Sequence, residues 1–508
     1  MTYTGGLVLS IQDLKAKVGV KGYSKILKAL TVTQKLSHNA AKYGFPISIR
    51  AYRISGNSLI IPRVKSSAVK RTGAGDGEYH LHASEPIDMD LGSTTFYDYQ
   101  QAAIDYITGV VLEEQHGLAY LQLGTGLGKT RTAIGIMAVL SVKTIVVVPA
   151  KSLQSQWLKE LSVLSPNTVA IAYSNPLGEL VECDVAICVV NTFRGKDLTF
   201  LRDNGFGLVI FDEAHEYYTK MNSNALWLAQ GAEFVLGLSA TPLERKDGLD
   251  TFVTHFLGKP VLQESIPGFD VEQGAFPGAV TKINYECDIE YADTKLTSRG
   301  TPCNASTLLL VLSDPDRMIL VARETMRLFE EGHGIFVFSE FRDYLMQLRD
   351  TLAELGLEET DITIEDDEDA PNAPSDAAEA PVKRVSTVPL AVLRGGVRSE
   401  YLEQVRKKGA RVVLTTYGYS RRGVSLPRMT AIVLASPRRN GLMQILGRIT
   451  RKGDDMTIVR QVVDIVDVNT MYRGQFYDRK EAYKLRDWPV SVVSARGPSR
   501  TSPGDESD

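Results

Sequence analysis

Leu118-Ala119-Tyr120-Leu121-Gln122-Leu123 runs directly into Gly124-Thr125-Gly126-Leu127-Gly128-Lys129-Thr130, and a helical stretch from Arg131 to Leu140 follows. In a turn of this kind, glycines let backbone N–H groups wrap a phosphate and the helix N-terminus favours the anion. Lys129 would reach the outer phosphates, and Thr130 would offer a hydroxyl to Mg²⁺. The strict G-x-x-x-x-G-K-[ST] pattern fails at its first position, where Leu123 stands. Strand, glycine turn, Gly-Lys-Thr and helix nevertheless keep the required order. The segment therefore predicts a phosphate cradle made of Gly124, Thr125, Gly126, Leu127, Gly128, Lys129 and Thr130.

Outward from this point, short apolar runs alternate with helical stretches: Thr144 to Val148, Val185 to Val190, Leu208 to Phe211 and Phe234 to Leu238. Continuous apolar strands between helices predict a parallel sheet covered on both faces. A second series comprises Gly334 to Phe338, Val388 to Leu393, Arg411 to Thr415, Ala431 to Leu434 and Val459 to Val466. Two α/β domains in tandem are expected, over 93–262 and 318–486, with 263–317 as a linker region and 487–508 as a flexible tail. The strand Leu208 to Phe211 ends in Asp212-Glu213-Ala214-His215. A carboxylate placed there suits metal-assisted phosphoryl hydrolysis: Asp212 would hold Mg²⁺ and Glu213 would orient or deprotonate the attacking water.

The chain has 508 residues, 44% of them hydrophobic and 23% charged, a composition that excludes a disordered or collagenous protein and leads us to expect about three folded units. Its longest apolar runs fall far short of a membrane span, and no charged-then-apolar leader opens it, so a cytoplasmic protein is expected, in the host cytoplasm if phage-encoded. The four cysteines form no CxxC pair, which speaks against a zinc site or disulfide framework. Net charge is -4, yet residues 1–75 carry 13 Lys or Arg against the single acid Asp13, a local charge of +12 that leaves -16 on the remainder. Such a field attracts polyanions. Residues 1–92 thus read as a small basic α+β unit and linker. Ser10 caps a first helix, strands Ile47 to Ile54 and Leu59 to Val64 flank Gly56-Asn57, and Arg50, Arg53 and Arg63 are candidate nucleic-acid contacts. An opposite extreme, Glu358 to Glu379, holds ten acids and no base, and an acidic disordered insertion is expected over about 358–382.

The ordered motifs resemble those of superfamily 2 helicases and translocases over roughly residues 95–470. Tyr99-Gln100 looks like the Q element; the resemblance implies Gln100 as an adenine contact and Phe96 as a stacking wall. Val148 to Trp157, with Lys151 inside it, and Asn191-Thr192-Phe193-Arg194 resemble motifs Ia and Ib, which implies Lys151, Thr192 and Arg194 near the phosphates of a tracked strand. Gly237-Leu238-Ser239-Ala240-Thr241-Pro242 resembles motif III, and the likeness makes Ser239, Ala240, Thr241 and His215 coupling residues between the ATP site and nucleic acid. Phe336 to Phe341, with Arg342 after it, resembles motif IV, and Thr416 with Gly423, Leu426 and Pro427 resembles motif V. Motif V departs from the usual G-x-D-x-P, since Ser425 replaces the acid and Arg421-Arg422 precede Gly423. Gln444 to Arg451 matches the Q-x-x-G-R-x-x-R of motif VI. A guanidinium stays protonated and forks onto phosphate oxygens, which makes Arg451 the first arginine-finger candidate and Arg448 the second.

The resemblance implies two tandem RecA-like parallel-sheet domains that use ATP and Mg to move on nucleic acid. The compact basic unit ending in Leu59-Ile60-Ile61-Pro62-Arg63 and the Leu238-Ser239-Ala240-Thr241-Pro242 to Gly248 run resemble phage UvsW-type and XPB-type DNA helicases. Sequence-independent contact with branched or duplex DNA, and with single-stranded DNA, is the leading expectation. The implied role is fork reversal, junction migration or unwinding in replication, recombination or repair. The alternatives are the motor subunit of a restriction or defence complex, an RNA helicase, or a nucleic-acid-stimulated ATPase switch that separates no strands.

Overall fold

The computed structural model describes residues 6–35, 46–65, 79–114, 116–173, 182–193, 204–219, 222–245, 247–269, 276–298, 300–357, 390–393, 401, 404–405, 409–420, 426, 428–439, 441–450, 455 and 457–496. The chain divides into two compact units, Met1–Glu272 and Gln273–Asp508.

The first unit opens with β1 (Leu7–Ser10) and α1 (Ile11–Ala29). The Ser10 hydroxyl caps α1 by accepting from the Asp13 N–H at 3.2 Å. Gly19, at φ +70°, breaks α1 into two segments. β2 (Thr31–Thr33) pairs antiparallel with β3 (Ser48–Arg50). β4 (Arg53–Ser55) and β1 flank β5 (Ser58–Ile61), both antiparallel to it. The single strand expected over 47–54 is therefore two. Ala51, fully buried, donates its N–H to the Leu30 carbonyl at 2.8 Å, and there the chain leaves one sheet for the other.

The larger sheet of this unit contains β6 (Leu118–Gln122), β7 (Thr144–Val148), β8 (Ala170–Tyr173), β9 (Val185–Val189), β10 (Leu208–Phe211) and β11 (Phe234–Ser239). All pairings are parallel, in the order β6-β11-β10-β7-β9-β8. Strand residues alternate between faces. Val146, Ile187, Ile210 and Leu236 pack with helices α2 (Asp98–Tyr106), α3 (Lys129–Leu140) and α4 (Lys151–Leu164). On the other face, Tyr120, Val147, Val209 and Val235 share a core with Phe252 and Phe256 and with Val32, Ile49 and Ile60 of the N-terminal strands. The basic unit is thus sealed onto the motor sheet by burial worth about 1.5–3 kcal/mol per large side chain. α5 (Ser223–Leu228) adds a polar tie, because Arg53 donates to the Asn224 side-chain oxygen Oδ1 and lies 4.7 Å from the Trp227 ring.

The second unit is built on β12 (Gly278–Glu286), β13 (Ile335–Ser339), β14 (Leu390–Leu393), β15 (Val412–Thr416), β16 (Ala431–Leu434), β17 (Arg460–Asp467) and β18 (Val490–Arg496). They form one parallel sheet in the order β14-β15-β13-β16-β17-β12-β18. α6 (Asn304–Leu312), α7 (Pro315–Glu330) and α8 (Arg342–Glu354) cover one face; α9 (Leu442–Leu446) and α10 (Gln475–Lys484) cover the other. Two buried ion pairs tie helices to β17: Arg317 with Asp467 at 2.6 Å and Arg479 with Asp464 at 2.8 Å.

Here the structure corrects the expected organisation. Residues 278–286, inside the stretch read as linker, form β12 between β17 and β18, and 490–496 of the expected tail form the edge strand β18. Both escape a reading based on apolar runs for one reason: they lie at the open side of the sheet and carry polar residues, such as Lys282 and Asn284 in β12 and Ser491 and Ser494 in β18. The acidic insertion and the tail from 497 lie outside the described residues. Among those described, no helix is long and apolar enough to cross a membrane.

Candidate active site

Parallel pairing brings the carboxyl ends of β6, β11 and β10 side by side, the edge at which open α/β sheets bind ligands. The glycine turn leaves β6, and α3 starts at Lys129 with Gly128 as its N-cap at φ +77°. That conformation favours glycine, and space demands it too: a Cβ at Gly128 would lie 2.4 Å from the Gln100 side-chain nitrogen. Gln100, buried on α2, donates Nε2–H to the Leu127 carbonyl at 3.1 Å and accepts the Tyr97 N–H at 3.2 Å. It braces the phosphate loop and keeps one N–H for a ligand.

Phe96 packs against Gly135 of α3, and the Arg131 guanidinium lies 5.8 Å from its ring centroid. Tyr97 is half-exposed and stacks on Tyr99 at 5.6 Å, presenting the open ring at this place that the sequence reading passed over. The three aromatics in Phe96-Tyr97-Asp98-Tyr99 were the available signal. Gln263 was also missed, because it falls in the expected linker. Its side-chain oxygen accepts the Gly124 N–H at 2.8 Å, and its own N–H goes to the Gln122 side chain at 3.0 Å.

From β10, Asp212 is buried and Glu213 sits at φ +49°, a left-handed conformation uncommon for a non-glycine residue. One Asp212 oxygen accepts the Trp157 indole N–H at 2.9 Å, the other the Glu213 N–H at 2.9 Å. Trp157, inside the stretch that resembles motif Ia, is fully buried and serves the acid. Burial and the adjacent Glu213 carboxylate push Asp212 up to about 6, against the opposing effects of the Trp157 N–H and Lys129. Lys129 Nζ approaches Glu213 to 4.0 Å, and the second Glu213 oxygen is buried without a hydrogen bond, 3.5 Å from His215 Nδ1. An acid pair, Asp212 buried and Glu213 partly so, with a spare lone pair and Lys129 as the nearby ammonium among the described residues, fits a divalent ion, with Asp212 and the Thr130 hydroxyl as the residues that would hold it.

His215 Nδ1 and Ser239 Oγ lie 2.9 Å apart, and Ser239 Oγ accepts the Thr241 N–H at 3.0 Å. A polar chain thus runs from Lys129 through Glu213 and His215 to Ser239 at the end of β11 and Thr241 just after it. Ala240 is buried, its carbonyl accepting from Gln122 at 3.4 Å.

The proposed nucleic-acid contacts divide. Lys151 is exposed at the start of α4 and Thr192 lies in the turn after β9, so both share the carboxyl edge with the phosphate loop. In the second unit, exposed Arg342 follows β13 and Thr416 ends β15, its hydroxyl accepting the Tyr419 N–H at 3.2 Å. Gln444 lies on α9, with Arg448 in the turn after it, both partly buried. Arg194, Arg421, Arg422 and Arg451 lie outside the described residues. Arg50 is exposed, but Arg53 joins the basic unit to α5, and Arg63 is corrected outright. Arg63 has no exposed surface, and it donates to the Ala232 carbonyl at 2.6 Å and the Glu233 carbonyl at 3.4 Å.

A lysine at a helix start, facing an acid pair from another parallel strand of the same sheet, is the working arrangement of P-loop nucleoside triphosphatases. A second parallel-sheet unit carrying motifs IV to VI narrows that class to two-domain helicase motors. The family described as "Type III restriction enzyme, res subunit" matches residues 93–244. The African swine fever virus protein QP509L, whose name contains the words ATP-dependent RNA helicase, is 34% identical over 513 residues, covering 96% of this chain and 91% of its own. XPB2 of Sulfurisphaera tokodaii, named a DNA 3'-5' translocase, is 25% identical over 403 residues, 76% of this chain and 85% of that one. Among solved structures, a fragment described as an HsdR subunit of a type I restriction enzyme from Vibrio vulnificus is similar in fold, with TM-score 0.51 and 15% identity over 78% of this chain and 68% of its own. The chain belongs to the QP509L-like family of superfamily 2 helicases and is an ATP-hydrolysing helicase.

Proposed function

We propose that this helicase acts on DNA, tracking the phosphate backbone without regard to sequence and remodelling duplex or branched substrates. The observation that carries the reading is the basic face fused to the motor. Lys15, Lys17, Lys21, Lys25 and Lys28 of α1 are all exposed, on a module that shares its hydrophobic core with the ATP-binding sheet. Cations held rigidly on the ATPase body would grip a polyanion while the motor cycles, mostly through phosphate contacts. The name of XPB2 supports DNA. The name of QP509L favours a second reading, an RNA substrate held by the same phosphate contacts.

In the proposed cycle, Lys129 neutralises the outer phosphates and Glu213 aligns and deprotonates the attacking water. Gln100 keeps the loop in shape, and Arg448 and Arg451 of the motif VI match are the proposed arginine fingers. Mg²⁺, when bound at Asp212 and Thr130, would offset charge on the phosphates. Only a difference in ATP affinity between conformations can drive movement.

The deciding experiment is ATP turnover with no nucleic acid, linear duplex, single-stranded DNA, a four-way junction or structured RNA. Junction or duplex stimulation, lost in Lys129→Ala with turnover reduced at least ~100-fold, is the expected result. Stimulation by RNA alone would overturn the DNA assignment.

A further inference from the structure

On the α10 face of the second unit, residues of α10, β12 and β18 line an open cleft of about 570 Å³. Its wall is one stripe of α10: Tyr477, Lys480 and Lys484 fall at i, i+3 and i+7 and so point the same way. Lys282 of β12 forms the floor with its ammonium 4.4 Å from the Phe476 ring centroid, and a smaller adjoining pocket adds Arg473. Four cations therefore converge, while Asp487 is the one acid among the described residues of the lining. Tyr477 is 65% exposed, a bare ring among those cations. Asn284, also on β12, turns a buried side-chain oxygen with no hydrogen-bond partner toward the smaller pocket.

A row of lysines on a helix is ordinarily a solvated face. Three features separate this cleft from that case. Burial lowers the Lys282 ammonium, and Arg473, Lys480 and Arg479 lower it further, with Asp464 alone opposing them. Asp464 is already engaged by Arg479 and the Tyr483 hydroxyl, so the four cations of the cleft outnumber the acid Asp487 and leave net positive charge. The exposed aromatic adds a flat apolar surface beside that charge, the pairing that single-stranded nucleic acids exploit by stacking bases while cations hold phosphates. An acidic peptide would use the lysines but leave the ring idle.

We propose that this cleft is an accessory site for single-stranded nucleic acid, with phosphates on Lys282, Arg473, Lys480 and Lys484 and one base stacked on Tyr477. It is distinct from the motif-bearing edge. Arg342 and Thr416 leave β13 and β15, and β12 is separated from β13 by β16 and β17, three strand spacings or roughly 14 Å across the sheet. The inference rests on the helicase's use of nucleic acid and adds a second grip on the displaced or tracked strand.

The test is fluorescence anisotropy of a labelled oligothymidylate of about 20 nucleotides, titrated with the full chain between roughly 50 and 200 mM salt. Lys480→Glu/Lys484→Glu should bind more weakly and flatten the logarithmic salt slope by roughly 1.4, the value for two lost phosphate contacts on a single strand. Tyr477→Ala should weaken binding roughly 5- to 100-fold with the salt slope kept. Lys480→Gln/Lys484→Gln guards against a folding artefact of charge reversal, and ATP turnover without nucleic acid should match wild type in all variants. Wild-type affinity and slope in both the charge and ring variants would overturn the proposal. So would loss of binding to a labelled Asp/Glu-rich peptide with oligothymidylate binding intact, which would make the cleft a protein-docking site. A wild-type chain that neither binds nor responds to any nucleic acid would overturn the substrate reading as well.

Discussion

Arg50 and Arg63 show how little a residue's type says about its role once the chain folds. Both belong to the same basic segment, yet Arg50 faces water while Arg63 is enclosed against the Ala232 and Glu233 carbonyls. Burial lowers the Arg63 guanidinium to about 10, still charged at neutral pH. Removing it strands the buried Ala232 carbonyl and the partly buried Glu233 carbonyl and leaves a cavity, so Arg63→Ala should cost about 2–4 kcal/mol and lower Tm. Arg50→Ala should stay within about 0.5 kcal/mol of wild type while weakening nucleic-acid binding. Chemical denaturation and a binding titration on the two variants separate these roles; equal stability would remove the structural assignment of Arg63.

Between elements, the instructive contact is the one joining β10 to β11. His215 and Ser239 meet at 2.9 Å because the two strands pair in register, Phe211 beside Gly237. Ser239 also receives the Thr241 N–H, so displacement of the Glu213–His215 end moves the start of the loop after β11. Ser239→Ala should therefore leave basal ATP turnover within about threefold of wild type but reduce nucleic-acid stimulation and strand displacement by roughly 10-fold, about 1.4 kcal/mol of coupling. Equal loss of basal and stimulated turnover would show that the hydroxyl serves hydrolysis itself. Two strands were illegible at this scale. β12 and β18 carry polar side chains because one face of the sheet is open there, and neither alternation nor an apolar run announces them.

At the scale of the whole molecule, the basic module and the first motor sheet are one folding unit, and their junction is acid-sensitive. His255, in the turn at 254–257, faces Lys65 of the N-terminal module; burial, then that ammonium, pulls it down to about 4 from 6.5. The unfolded chain takes up this proton first, so stability falls as pH drops from about 6.5 towards 4, and the contribution is fully present above 6.5. His255→Gln should flatten that part of the Tm-versus-pH curve. An unchanged decline would place the acid-sensitive group elsewhere.

The chemistry was legible from local sequence because phosphate binding demands contiguous residues: a glycine turn, a lysine and a helix start must follow one another, and an acid pair must end a strand. Parallel-sheet class was legible for the same kind of reason, through apolar runs long enough to be buried on both faces. What the tertiary structure alone decided depends on residues distant in the chain. Burial turned Arg63 from a ligand contact into a structural cation and set Trp157 on Asp212. Chain return brought Gln263 to the Gly124 N–H, and the open side of the second sheet gathered Lys282 with the α10 stripe. Sequence patterns record neighbours along the chain, whereas desolvation and cation clustering are set by neighbours in space.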